Sequence, residues 1–369
     1  MLLISGLLVA LAAVLAYANG GNDVAKGIAT LVGSGVSSFR LAVLWGTAWT
    51  TMGCLVAAFV TQGLVATFSG NGFLDQPIGT PAFLGAVAVG AAAWVLFASK
   101  LGLPVSTTHA IAGALAGAGV VAQGAGALHW SHFGMKVLVP LALSPIVSVA
   151  LVAAVFPLLS RALARAETYC LCLERRVVLI DGGALALEAT PSSAVVAPQE
   201  ACAASATVAT RLPVVDALHW LSAALTSFAR GINDAPKIVA LGIAASLSIG
   251  LPGSSTYVLI AMAMGAGSLI AGFRVTDTLA RKVTPMAPAD GFAANLVTSA
   301  LVGTASAFAL PVSTTHVSSS AIIGVGLHRG SSTVRWETVR EIVVAWVLTL
   351  PAAALVGAGT FALLRAFRG

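Results

Sequence analysis

Charge is what this sequence lacks. Acidic and basic residues make up 9% of its 369 positions, against roughly a quarter in an ordinary soluble domain. With 13 Asp and Glu and 19 Lys and Arg, the chain cannot supply the polar surface that water demands. That excludes a soluble enzyme, a disordered segment, a coiled coil and a nucleic-acid-binding module. What is abundant is hydrocarbon: 58% of residues are hydrophobic and the mean hydropathy is +0.97, the profile of a polytopic membrane protein. The formal charge of +6 speaks of orientation before ligand, because most basic residues fall outside the apolar runs, where lipid topology places them.

Apolar blocks run near 1–18, 41–68, 82–99, 103–123, 135–160, 213–229, 238–273, 291–310, 311–327 and 341–364. Several are short or interrupted by Gly and Pro, as at Pro252 and Gly253. Counted as separate pieces they predict about ten to twelve membrane segments. All should be helical, because backbone in hydrocarbon must satisfy its own hydrogen bonds. The first block ends Ala16-Tyr17-Ala18, which mimics a signal-peptidase site, but it has no charged leader and recurs in mid-chain, so it reads as a membrane helix.

One soluble-looking stretch, 161–212, opens with Arg161, Arg165, Arg175 and Arg176, and the positive-inside rule puts it in the cytoplasm. Its middle is rich in Ala, Ser and Pro, the composition of a low-complexity linker. Three of the four cysteines, Cys170, Cys172 and Cys202, lie here, and Cys54 sits in an apolar block. A reducing compartment favours free thiols, and Cys170 with Cys172 offers too few ligands for a metal site.

The chain also repeats itself. Tyr17-Ala18-Asn19-Gly20-Gly21-Asn22-Asp23-Val24-Ala25-Lys26 returns 211 residues later as Phe228-Ala229-Arg230-Gly231-Ile232-Asn233-Asp234-Ala235-Pro236-Lys237. Leu103-Pro104-Val105-Ser106-Thr107-Thr108-His109 returns after 207 as Leu310-Pro311-Val312-Ser313-Thr314-Thr315-His316. Two motifs in one order at nearly one spacing define two homologous membrane repeats, 1–160 and 213–369, joined by the 161–212 linker. Repeated halves with interrupted helices are how many secondary transporters hold substrate near the midplane.

The motifs carry chemistry suited to an anion. A carboxylate within the bilayer costs from about 3 to more than 10 kcal/mol, and Asp23 and Asp234 each follow glycine and precede a lysine by three residues. One reading is a mutually neutralised Asp–Lys pair on adjacent turns. The other is a polar site lined by Asn amide, Asp carboxylate and backbone freed by a broken helix, and its double occurrence favours it. In the second motif proline ends one helix and hydroxyl residues cap the next. A helix start presents unpaired N–H groups and partial positive charge, so two of them suit a tetrahedral oxyanion. Kinked helices whose Ser and Thr bond back to backbone are the plain alternative. His109 and His316 read as supporting or packing residues.

Gly20-Gly21-Asn22-Asp23 with Gly231-Ile232-Asn233-Asp234, and the paired Pro-Val-Ser-Thr-Thr-His stretches, resemble the inorganic phosphate transporter (PiT) family, which also includes sulfate permeases. The likeness covers both halves. It implies an all-α polytopic protein of two inverted repeats with broken helices and re-entrant hairpins, a homodimer of the inner (plasma) membrane. The implied activity is phosphate import by cation symport, with H⁺ or Na⁺ as the coupling cation, and no cofactor. By the same likeness Asn22, Asp23, Asn233 and Asp234 belong to the substrate and cation site, with Na⁺ at Asp23 and Asp234. Ser106, Thr107, Thr108, Ser313, Thr314 and Thr315 lie at the facing helix starts.

The sequence departs from the family pattern at Lys26, where members carry asparagine, and at Arg230, Pro236 and Lys237. Lys26 and Lys237 are symmetric, and a fixed ammonium beside a carboxylate can occupy the electrostatic role of bound Na⁺ or bind the anion. That predicts weakened sodium dependence and proton coupling; snorkelling of the lysines to the membrane surface is the competing reading. Arg230 shares the anion or coupling role. Carboxylates near the anion favour phosphate, which has hydroxyl hydrogens to donate, over sulfate, which has none, unless the lysines fully engage them. A passive pore wants rings of charge along an open path. An enzyme is disfavoured because Ser-Thr-Thr-His lacks an orienting acid.

Overall fold

Hydrocarbon gives the backbone nothing to bond but itself, and the membrane body is accordingly helical. The computed structural model describes residues 2–68, 78–180, 184–188, 190–191 and 193–367; parts of the linker at 181–183, 189 and 192 lie outside them. The first half comprises α1 (Leu2–Asp23), α2 (Ala25–Gly33), α3 (Phe39–Val60), α4 (Gln62–Phe68), α5 (Pro81–Lys100), α6 (Thr107–Gln123), α7 (Trp130–Phe133) and α8 (Val139–Ala166). Then come β1 (Tyr169–Glu174), β2 (Val177–Ile180), β3 (Ala184–Leu187), β4 (Ser193–Pro198), α9 (Gln199–Ala204) and β5 (Val208–Pro213). The second half holds α10 (Val214–Ser248), α11 (Gly253–Ala271), α12 (Phe273–Arg281), α13 (Pro288–Ala307), α14 (Thr314–Arg329) and α15 (Trp336–Ala366). Among the described residues six stretches are long and apolar enough to cross a membrane: Leu2–Gly33, Phe39–Val60, Pro81–Lys100, Val139–Ala166, Gly253–Ala271 and Trp336–Ala366. Helices α6, α10 and α14, which carry motif residues, pack among them together with α13.

The equivalent segments run antiparallel. Ser248 at the end of α10 donates to Ser5 near the start of α1 at 2.7 Å, and His219 near the start of α10 meets Thr30 near the end of α2 at 3.0 Å. Each motif helix is gripped by a helix of the opposite half. A Cβ on Gly20 would strike the Met264 carbonyl of α11, and one on Gly267 the Tyr17 carbonyl of α1. Gly231 of α10 and the Thr50 carbonyl of α3, and Gly53 and the Phe228 carbonyl, repeat the arrangement. Small residues let helix backbones approach this closely where lipid supplies no hydrophobic drive.

The motif helices bend less than their glycines suggest. The break expected at Asn233-Asp234 is absent, because α10 runs 35 residues without interruption through Gly231 and Pro236. In the first half, with two glycines, the interruption is a single residue, Val24, which keeps helical torsions of −57° and −33°.

The 161–212 stretch also differs from a low-complexity linker. Strands β4, β1 and β5 form an antiparallel sheet and β2 pairs with β3. Valine and leucine alternating among small residues suffice for strands, a pattern the alanine content hides. Instead of three free thiols, the structure joins Cys172 to Cys202 and leaves Cys170 buried in the same small core. Helix α9 lies across the sheet and carries Cys202 to β1.

Candidate functional site

Two helical hairpins meet at the centre of the body. Hairpin α5–α6 enters beside Leu8 and Leu11 of α1, and α13–α14 enters beside His219 and Thr30, so their tips approach from opposite ends. The tips are stitched together: Thr315 Oγ1 donates to the Val105 carbonyl at 2.7 Å and Thr108 Oγ1 to the Val312 carbonyl at 3.4 Å. Proline precedes each tip and removes the donor that would extend the incoming helix. Ser106 and Ser313 then cap α6 and α14, accepting from His109 N at 3.2 Å and His316 N at 3.1 Å. Their torsions are nearly identical, −90° and 113° against −90° and 108°.

The two asparagines hold these tips in place. Asn22 Nδ2 donates to Ser99 Oγ at 2.9 Å and to the Leu103 carbonyl at 3.0 Å, while its Oδ1 accepts from Val105 N at 3.1 Å. Asn233 Nδ2 donates to Asp234 Oδ1 at 3.0 Å and the Val312 carbonyl at 3.3 Å, and its Oδ1 accepts from Ser306 Oγ at 3.2 Å. Every polar atom of both amides is engaged, so both serve as latches. Ser99 and Ser306 were not singled out from sequence, although they too stand 207 residues apart.

Between the tips lies the charge. Asp23, Lys26, Arg230, Asp234 and Lys237 are each at most 2% exposed, which excludes snorkelling of the lysines. Lys26 pairs with Asp23 and donates across the halves to Thr314 Oγ1 at 3.1 Å. Lys237 pairs with Asp234 at 3.2 Å and donates back to Thr108 Oγ1 at 2.7 Å and the Val312 carbonyl at 3.2 Å. Each lysine thus ties its own half's carboxylate to the other half's helix start. Thr314 Oγ1 also donates to Asp234 Oδ2 at 3.4 Å.

Asn19 is the residue that sequence reasoning missed. It is fully buried, and its Nδ2 reaches Asp23 Oδ2 at 2.8 Å, Thr107 Oγ1 at 3.0 Å and Asp234 Oδ2 at 3.4 Å. Its repeat mate, 211 residues on, is Arg230. The Arg230 Nε and Nη2 atoms have no hydrogen-bond partner among the described residues. His109 and His316 stack on one another at 4.5 Å, and His316 on Trp346 at 4.0 Å, as packing residues would. Among the described residues no group of three His, Cys, Asp or Glu side chains is placed to hold a metal ion.

The chain matches the phosphate transporter family over residues 19–357. It is 31% identical over 358 residues to a protein of Rhizobium meliloti (strain 1021) named a probable low-affinity inorganic phosphate transporter, covering 95% of this chain and 93% of that one. A protein of the same name from Bacillus subtilis (strain 168) is 29% identical over 368 residues, covering 97% and 96%. A solved structure named the sodium-dependent phosphate transporter superposes with a TM-score of 0.77 at 23% identity over 99% of both chains, which shows a shared fold. The family match opens on Asn19 and closes on Gly357 of α15, enclosing both hairpins and the buried charges between them. This chain is therefore a multi-pass membrane protein of the phosphate transporter family, a transporter and not an enzyme.

Proposed function

We propose that the protein imports inorganic phosphate across the plasma membrane by proton symport, holding the anion between the two hairpin tips. One observation carries this reading: two carboxylates face two ammonium groups and a guanidinium in a buried cluster. One positive charge is left over. An uncompensated buried charge destabilises by about 3–5 kcal/mol, and an incoming oxyanion offsets it. The two unpartnered N–H groups of Arg230 are a fork suited to two phosphate oxygens. The first turns of α6 and α14 add helix-start donors. They also add the hydroxyl of Thr107, which only accepts here, and those of Thr108 and Thr314, whose long 3.4 Å bonds to Val312 and Asp234 the anion would replace. In this reading Asn22, Asn233, Ser106, Ser313 and Thr315 shape the site by holding the tips, while Asp23 and Asp234 set the charge of the lysines.

The coupling ion follows from the same lysines. A Na⁺ ion needs carboxylate and carbonyl oxygens, and the two carboxylates already accept from Lys26, Lys237 and Asn19. A tethered ammonium takes the place of sodium, leaving a proton on the phosphate or on the cluster as the coupled cation. Phosphate is preferred over sulfate because the relatives are named for it; with their oxygens engaged, the carboxylates give no separate discrimination. A homodimer belongs to this reading through the family resemblance.

Uptake of labelled phosphate into proteoliposomes tests the proposal. Uptake should persist when Na⁺ is replaced by choline, should fall when the proton gradient is collapsed, and should resist competition by sulfate. Asp23→Asn and Asp234→Asn should abolish it. Complete loss of uptake in choline would sink proton coupling; near-normal uptake by either Asn variant would sink the site.

A further inference from the structure

The repeat is kept on one side of the site and abandoned on the other. Aligned through their motifs, the halves place amide and hydroxyl groups in the second half where the first has hydrocarbon: Thr226 stands for Leu15, Asn295 for Ala88, Ser318 for Ile111 and Ser319 for Ala112. All four polar residues are at most 2% exposed.

Three of these side chains form a sheath that leads to α2. Ser318 Oγ donates to the Lys26 carbonyl at 3.1 Å, Asn295 Nδ2 to the Gly27 carbonyl at 3.4 Å, and Thr226 Oγ1 to the Asn295 carbonyl at 2.9 Å. At the far end of α2, His219 meets Thr30; its repeat mate is Leu8. The apolar mates share one core with Ile238, Val239 and Leu241 of α10, the segment equivalent to α2. Beside the site, therefore, α2 has hydroxyl and amide neighbours among its apolar contacts, whereas the equivalent stretch of α10 packs in hydrocarbon as far as Ser246.

Packing alone does not account for this. Serine and threonine do serve close helix contact in membranes, but that need is equal in the two halves. The Ser319 hydroxyl is fully buried and has no hydrogen-bond partner among the described residues, and neither does His219 Nδ1. A buried polar group without a partner calls for one, and water or a ligand can supply it.

We propose that the α2 sheath is the hydrated route by which the tetrahedral oxyanion and its water pass between the central site and the membrane face bearing the β-stranded insert. The route is closed in this conformation and opens as α2 parts from α10, α13 and α14. Residues 238–245 pack in the apolar core instead, and a buried, unpartnered hydroxyl returns only at Ser246 near the end of α10, so passage at the opposite face does not mirror it. The cargo rests on the phosphate reading above; the route does not.

Cysteine labelling separates the two. Ser319→Cys and Thr226→Cys are compared with their mates Ala112→Cys and Leu15→Cys in vesicles of both orientations. The probe is a charged, membrane-impermeant methanethiosulfonate, with and without inorganic phosphate. We expect the first two to label at least tenfold faster than their mates, from the insert side, and more slowly when phosphate is present. The mates should stay at the level of the parent chain, whose Cys54 is fully buried. Equal labelling of mates and sheath, labelling only from the opposite face, or no labelling of either sheath position in stably folded protein overturns the route. Labelling that phosphate does not slow supports the route and overturns the central binding site.

Discussion

The crossed lysines make a prediction whose size can be worked out. Lys237 is held by Asp234 at 3.2 Å, Thr108 at 2.7 Å and the Val312 carbonyl at 3.2 Å, and its side chain is 1% exposed. Asp234→Asn removes the countercharge and strands the ammonium, which costs about 3–5 kcal/mol. That is roughly 150-fold to 5,000-fold in the folded-to-unfolded ratio. Adding Lys237→Met removes the stranded charge and fills most of its volume. The Val312 carbonyl keeps Thr108 and Asn233 as donors, so only the Thr108 oxygen is left short of a donor, at about 1–2 kcal/mol. The double variant should therefore be more stable than Asp234→Asn alone, by about 2–3 kcal/mol. Denaturation of the purified protein in detergent reads the stability, and phosphate uptake in proteoliposomes reads the site. Stability should return in the double variant while transport does not. A double variant as unstable as the sum of the two single changes would refute the pairing.

Other perturbations probe separate parts of the fold. Gly231→Ala drives a methyl into the Thr50 carbonyl whereas Gly303→Ala meets nothing within 4 Å; the first should lower the thermal midpoint sharply and the second leave it level or raise it, and equal effects would refute the tight α10–α3 contact. Arg230→Lys keeps the charge and loses the fork, so the KM for phosphate should rise roughly tenfold, about the worth of one charge-assisted hydrogen bond, and an unchanged KM would remove Arg230 from the anion site. Cys172→Ser opens a loop spanning 30 residues, which should destabilise the insert by about 2–4 kcal/mol and speed proteolysis at the exposed Arg176 while uptake is kept; alkylation of all four cysteines without reductant would contradict the Cys172–Cys202 pairing.

The membrane class is legible in sequence because hydropathy acts over whole segments, and the motif helices are legible because each occurs twice. Asn19 escaped notice because its repeat mate is arginine, and a search for likeness passes over the position where the halves differ. The strength of the kink was misjudged for a related reason: glycine and proline report what a helix alone prefers, whereas α10 is held straight by α3 and α13 packed along it. The β-strands of the insert were hidden by composition, since alanine and serine weigh against structure when averaged and the valine and leucine positions between them do not. Residue identity marks Asn22 and Ser106 as candidate ligands, and geometry adds that the Asn22 amide and the Ser106 oxygen also hold the hairpin tip.

The glycine contacts between halves have a consequence for how the chain is made. Gly20 rests against Met264, a residue synthesised about 240 positions later. At ribosomal speeds of about 5–20 residues per second, α1 waits in the bilayer for roughly 10–50 s before its partner emerges. Through that interval a lone carboxylate at position 23 would face lipid. Lys26, made within the next second and one turn away, neutralises it from within the same half, and Lys237 does the same for Asp234 when the second half arrives. The bonds to Thr314 and Thr108 are then an exchange made after both halves are in place. The spacing of Asp and Lys lets each half neutralise its own carboxylate without the other.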